Sequence, residues 1–194
     1  PAGMPIAWDE ISLPWGKRTP PAPVASTAPA SFTEDAAKIT IKAQDLVAVI
    51  DKASGYITSI MSKDQEWLLT PLKLNFWRPT TNNDEGAKLD HKLRIWQYAG
   101  ARASAVKTTA RQDGNDVLIT SELGIPAKDS SATVSYRFTG SGQIAVDTEF
   151  RPGKGLPTIP RIGYQCEIPN RTPLLKWYGN GPHENYVDRK SGSW

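Results

Sequence analysis

The feature that most narrows what this chain can become is a pair of alternating runs around residues 140–142. In Val134, Tyr136 and Phe138, and again in Ile144, Val146, Thr148 and Phe150, every second position is apolar or β-branched. A period of two places such side chains on one face of an extended strand. Gly140-Ser141-Gly142 lies between the runs and supplies a turn. The pair predicts a hairpin, 131–139 against 143–151, each strand with one buried face. A sheet of that kind must cover its face with a second layer.

The same signal recurs along the chain. It predicts strands over 38–42, 46–50, 56–61, 66–69, 72–77, 101–111, 116–123, 161–168 and 174–178. Turns are expected at Asp51-Lys52-Ala53-Ser54-Gly55 and Asp113-Gly114-Asn115. The sixteen Pro and fifteen Gly fit a turn-rich β protein better than a helical bundle. One helix is predicted near 89–99, because Leu89, Leu93 and Trp96 share a face and Gly100 follows as a C-terminal cap. The segment 78–88 reads as a polar loop. The expected class is therefore mainly β, an antiparallel sandwich or large curved sheet.

The N-terminal part differs. A strand-like run, 6–13, is followed by Thr19-Pro20-Pro21-Ala22-Pro23-Val24-Ala25-Ser26-Thr27-Ala28-Pro29. Residues 1–14 read as the last strand of a preceding β-sandwich domain and 15–37 as a Pro/Ala-rich linker. The start at Pro1 and the end at Trp194, just after a motif-dense loop, read as a piece of a longer chain.

Several function classes are disfavoured. The net charge of +3 is dispersed with no long basic run, which argues against nucleic acid as a partner. Lys88, Lys92 and Arg94 sit near Trp96, but that ring belongs to the apolar face and reads as core. No stretch has the length of a membrane helix, and no membrane partner is expected. One Cys and two His at unrelated spacings make no zinc motif. Alternation places Cys166 beside Ile162, Tyr164 and Ile168, so it reads as a buried, inert thiol.

Two loops concentrate chemistry. Asn75-Phe76-Trp77-Arg78-Pro79-Thr80-Thr81-Asn82-Asn83-Asp84-Glu85-Gly86 joins an aromatic strand end to amides and carboxylates. Such groups order a loop through side-chain-to-backbone bonds; they also suit sugar hydroxyls. Asp84 and Glu85, as sequence neighbours, are poorly placed for the two carboxyls of glycoside hydrolysis. Trp177-Tyr178-Gly179-Asn180-Gly181-Pro182-His183-Glu184-Asn185-Tyr186-Val187-Asp188-Arg189 is the second loop. His183-Glu184 has the makings of an acid–base pair, but Gly181, Pro182, Glu184, Asp188 and Arg189 favour internal ordering. His91 reads as exposed.

Taken together these stretches resemble bacterial β-galactosidases of glycoside hydrolase family 2. Residues 76–86 resemble that family's FWRAPTDND-G signature, and Trp96, Ala99 and Gly100 its W-x-x-A-G helix end. Pro160-Arg161-Ile162-Gly163 resembles its PRIG strand, and 177–189 its W-x-G-x-GP-x-ENY-x-DR loop. The resemblance covers 38–194, and Ala7-Trp8-Asp9-Glu10 is similar to the end of the family's immunoglobulin-like fourth domain.

The resemblance implies that 38–194 are the first part of the C-terminal small-chain domain, an incomplete supersandwich related to galactose mutarotases. It implies that the two catalytic Glu, and the Mg and Na of the parent family, belong to another domain. No catalytic residue, metal ligand or cofactor is therefore expected here. A sugar-lining tryptophan of the later part of the domain has no counterpart, since Trp194 is not at its place. Trp77, Arg78, Asn82, Asn83, Asp84 and Gly86 would form the substrate-side loop, Gly86 opening a mobile lid that is shorter here than in the family. Trp177, Gly181, Pro182, Glu184, Asn185, Tyr186, Asp188 and Arg189 would be a structural motif. Neither His91 nor His183 matches an epimerase site.

The function expected is that of a non-catalytic part of a β-galactosidase, shaping the active-site mouth and subunit contacts. Its partners would be the remaining domains and a β-galactoside or galactose, in a bacterial cytoplasm or periplasm. The alternative is an autonomous carbohydrate-binding module using Trp77, Arg78, Asn83 and Asp84. A sheet lacking partner strands exposes edges and apolar faces. The chain is thus expected to self-associate by edge pairing or swapping, and a sharply monodisperse monomer in light scattering would contradict that.

Overall fold

The computed structural model describes residues 28–171. They form eleven strands in three antiparallel sheets. The first sheet runs in chain order: β1 (Ser31–Glu34), β2 (Lys38–Ala43), β3 (Leu46–Asp51), β4 (Ile57–Ser62) and β5 (Gln65–Glu66). A two-stranded ribbon joins β6 (Lys73–Asn75) to β11 (Gly163–Gln165). The second large sheet contains β7 (Ser104–Asp113), β8 (Asp116–Ile125), β9 (Ser130–Phe138) and β10 (Ile144–Arg151), in the order β10-β9-β8-β7.

The two large sheets share one apolar core. Ile39 and Ile41 of β2, Ala48 and Ile50 of β3 and Ile57 of β4 are buried from one side. Val117, Ile119 and Leu123 of β8 and Val134, Tyr136 and Phe138 of β9 are buried from the other. Each fully buried large side chain contributes about 1.5–3 kcal/mol. Polar groups that cross between the sheets are matched. The Tyr136 hydroxyl donates to Gly55 O at 3.2 Å, and Ala105 N to Ala53 O at 2.8 Å. Gly55 has φ +73°, and a Cβ there would lie 2.7 Å from Leu123 Cδ2, so the turn tolerates no side chain. The predicted hairpin of β9 and β10 is present with Ile144 opposite Phe138 and Val146 opposite Tyr136. On β10, the outermost strand of this sheet among the described residues, those residues are only half-buried or exposed.

Several sequence expectations need correction. The Pro/Ala-rich linker was expected to reach 37, but Ser31–Glu34 is a strand with Phe32 opposite Ile41. The Asp35 carboxylate accepts from Ala37 N and Lys38 N and builds the turn into β2. The strand expected over 66–69 stops at Glu66. Its carboxylate accepts from Ile60 N, Trp67 N and Leu68 N, and so turns the backbone away from the sheet. The strand expected over 101–111 begins only at Ser104, and that over 161–168 shrinks to Gly163–Gln165. Ile162 is 58% and Ile168 47% exposed, so the apolar face proposed around Cys166 does not form. Cys166 is half-buried, with Tyr164, against the core.

The segment 78–88, read as a polar loop, contains a short helix, α1 (Asn82–Gly86), and the single helix over 89–99 is replaced by α2 (Leu89–Lys92) and a 3-10 turn, Arg94–Trp96. Lys88 takes a left-handed conformation, φ 55°, between α1 and α2. Elements this short have little helical stability of their own, so tertiary packing decides their course. Trp96 is completely buried; its ring centroid lies 5.7 Å from Phe76 and 6.1 Å from Phe150, and its Nε1 donates to Pro157 O at 3.1 Å.

Gly100, expected as a C-terminal cap, does not take the left-handed conformation; it is absent from the positive-φ glycines. It is required by close approach. A Cβ there would lie 1.9 Å from Leu74 O of β6. The Tyr56 hydroxyl donates to Gly100 O at 3.0 Å. A side chain at Gly100 must therefore push the turn off the ribbon, whereas one at Gly86 would meet nothing within 4 Å. Gly100→Ala is expected to cost about 3 kcal/mol or more, and Gly86→Ala to be neutral or stabilising by up to about 1 kcal/mol. Urea unfolding of the two variants measures the difference.

Candidate functional site

The site is built at the C-terminal end of β6. Asn75 closes the strand: its Nδ2 donates to Trp77 O at 2.8 Å, and its Oδ1 accepts from Trp77 N at 3.0 Å. This Asx arrangement turns the chain, leaving Phe76 in the core and Trp77 half-buried. Thr81 then caps α1. Its side chain accepts from Asp84 N while the Asp84 carboxylate accepts from Thr81 N at 2.8 Å, a reciprocal capping box.

Arg78 completes the loop. Its Nη1 lies 2.5 Å from Asp84 Oδ2 and its Nη2 3.0 Å from Oδ1, a two-pronged pair that sets both groups rigidly. Asp84 is buried. The Arg78 guanidinium, followed by the Thr81 amide, holds its carboxyl down to about 2. Such a group stays ionised and cannot act as a general acid near neutral pH. It is a fixed anion that accepts hydrogen bonds.

Trp77, Arg78, Thr80, Asp84, Leu89, Leu93 and Pro160 line one shallow cleft. Of the substrate-side residues named from the sequence, the fold thus brings together Trp77, Arg78 and Asp84. Asn82, Asn83 and Gly86 lie on α1 with their surfaces exposed to solvent. Glu85 is exposed and accepts from Thr80 Oγ1 at 3.3 Å. His91 is exposed, 3.3 Å from Asp90. Residues 177–189, with Trp177, Gly181, Pro182, His183, Glu184, Asn185, Tyr186, Asp188 and Arg189, lie outside the described residues, as do 1–14.

Sequence reasoning missed two parts of this arrangement. Thr81-Asn82-Asn83-Asp84 carries the capping-box pattern, a readable signal that α1 begins there. Pro160 reaches the cleft because Gly163 pairs with Asn75 across the ribbon, and no local signal reveals that pairing. Among the described residues no three His, Cys, Asp or Glu side chains cluster as metal ligands.

The depressed value at Asp84 has a definite sign. A carboxylate whose folded pKa lies below its ordinary 3.8 contributes stability above that value. The contribution is lost as pH falls through the folded value near 2. Asp84→Asn removes it, so melting temperature should fall less steeply between these two pH values in the variant than in the parent chain. Parallel curves would refute the assignment.

The family described as beta galactosidase small chain matches residues 42–194. A β-galactosidase of Priestia megaterium is 30% identical over 192 residues, covering 99% of this chain and 18% of its own length. The β-galactosidase BgaC of Bifidobacterium adolescentis is 31% identical over 205 residues, covering 100% of this chain and 19% of its own length. One from Clostridium acetobutylicum is 27% identical over 156 residues, 80% of this chain and 17% of its own length. The chain therefore spans less than a fifth of the length of these relatives. It belongs to the β-galactosidase small-chain family.

Proposed function

We propose that this chain is the non-catalytic part of a β-galactosidase that hydrolyses terminal β-galactosides with retention. The two carboxylates of that chemistry, and the Mg and Na of the parent family, would be carried by other domains of the longer protein. Residues 38–194 would be the first part of its small-chain domain, after the tail of a β-sandwich domain at 1–14 and a linker from 15. The chain would wall the active-site mouth with Trp77, Arg78, Asn82, Asn83, Asp84 and Gly86, and contribute subunit contacts.

The observation that carries this reading is the Arg78–Asp84 pair. A glycosidase acid must hold its proton near neutral pH, which needs a raised pKa. Asp84 is shifted the other way, and the carboxyls of Asp35, Glu66 and Asp113 are also held below their ordinary values. What the loop offers is a rigid set of acceptors and donors beside an aromatic ring, suited to orienting a hydroxylated ligand. The half-buried Trp77, which shares a shallow cleft with Arg78 and Asp84, also favours a second reading, an autonomous carbohydrate-binding module.

The two readings separate in solution. The purified chain should not hydrolyse a nitrophenyl β-galactoside; turnover that disappears in Glu85→Gln would sink the non-catalytic assignment. Galactose titrated against tryptophan fluorescence should give no saturation at millimolar concentration. Saturation lost in Trp77→Ala would favour the module.

A further inference from the structure

The turn that seats Trp96 in the core has an outward face. There Arg94, Ile95, Tyr98, Ala99 and Arg102 meet Pro126 around an open groove of about 410 Å³. The volume lies within the range of ligand sites. Ile95 is 36% and Tyr98 51% exposed. The Arg102 guanidinium lies 5.1 Å from the centroid of the Tyr98 ring, which holds its planar fork in place.

The charges of this groove are one-sided. Among the described residues, none that lines it is acidic. Arg78, Arg111, Arg137 and Arg151 each have a carboxylate partner. Among the described residues, Arg94 and Arg102 have none. Exposed Tyr, Ile and Arg around an apolar floor are the composition of an interface centre rather than of an ordinary solvated surface. Val106, 77% exposed, extends the apolar surface nearby: its Cγ2 lies 3.8 Å from where a Gly124 Cβ would stand, two residues before Pro126.

We propose that this groove docks an acidic segment of a partner protein. An apolar side chain of the segment would rest on Ile95, Ala99 and Pro126, and flanking carboxylates would pair with Arg94 and Arg102. The apolar floor favours a peptide over a simple anion, which would use the two guanidiniums and leave the floor wet. Pairing both guanidiniums beside desolvated apolar surface gives charge-assisted hydrogen bonds in a shielded setting.

The test is a titration of the ¹⁵N-labelled chain with acetyl-Glu-Leu-Asp-Phe-amide, with its uncharged counterpart acetyl-Gln-Leu-Asn-Phe-amide, and with citrate. The acidic peptide should shift the amides of Ile95, Tyr98 and Arg102 saturably. The uncharged peptide should bind about tenfold more weakly or worse, and Arg94→Gln with Arg102→Gln should weaken the acidic peptide by about tenfold. Both arginines are exposed, and circular dichroism checks that the double variant is folded. Should it unfold, the ionic-strength series decides. Affinity of the parent chain for the acidic peptide should drop between about 50 and 500 mM salt, and constancy overturns the proposal. It is equally overturned by the absence of saturable shifts, by equal binding of the two peptides, or by citrate reproducing the shifts at the same concentration, which would mark a site for small anions.

Discussion

The arrangement of this protein depends on how closely the 96–100 turn approaches β6. Gly100 sits against the Leu74 carbonyl at a distance that excludes any side chain, and Tyr56 donates to the Gly100 carbonyl from below. Trp96, Phe76 and Phe150 fill the space beside this contact, with Phe76 and Phe150 4.8 Å apart. β6 and β11 form a ribbon of three residue pairs, too short to stand by itself. It persists because the turn is pressed onto it and because the aromatic cluster ties it to β10.

The candidate site inherits its rigidity from that contact. Phe76 is anchored in the core, and the next residues, Trp77 and Arg78, emerge from the anchor. Asn75 turns the chain, Thr81 and Asp84 cap α1, and Arg78 spans the loop to Asp84. Three separate sequence motifs thereby meet. The Phe76–Gly86 loop, the Trp96–Gly100 turn and the Pro160–Gly163 segment all pack about one short ribbon. The electrostatics follow from the geometry. A carboxylate that accepts from a guanidinium and a backbone amide is stabilised as an anion, so the loop presents fixed acceptors rather than a titrating acid.

The alternating strands were the most legible part of the chain. β8 and β9 have the predicted boundaries to within two residues, because period-two patterning and burial coincide on central strands. Legibility fell where a specific side chain redirected the backbone. Glu66 ended β5 early by gathering three amides, and Asp35 created a turn inside what composition marked as linker. Lys63-Asp64 and Lys128-Asp129 adopt left-handed turns without the glycine that would have announced them. The helix face of Leu89, Leu93 and Trp96 was real as an apolar pattern, yet it was satisfied by a broken series of turns. Burying Trp96 with a partner for its Nε1 outweighed helical continuity. At the site, the chemistry of Trp77, Arg78 and Asp84 was readable, but their pairing was not.

What the residues determined by themselves was the class of structure and the family. Alternating apolar positions admit only a sheet with a covered face, and motif residues such as Trp77, Arg78, Gly100 and Pro160 carry identity without any coordinates. What only the tertiary structure decided was the role of each. Gly100 proved to be a matter of close approach rather than of turn conformation. Asp84 became the arginine-bound cap of a helix, Asn82 and Asn83 faced solvent, and Arg94 with Arg102 gathered around an apolar groove. The reason is physical. Patterning follows from the local backbone period, whereas distances, desolvation and charge pairing arise between residues far apart in the chain, and these set what a side chain can do.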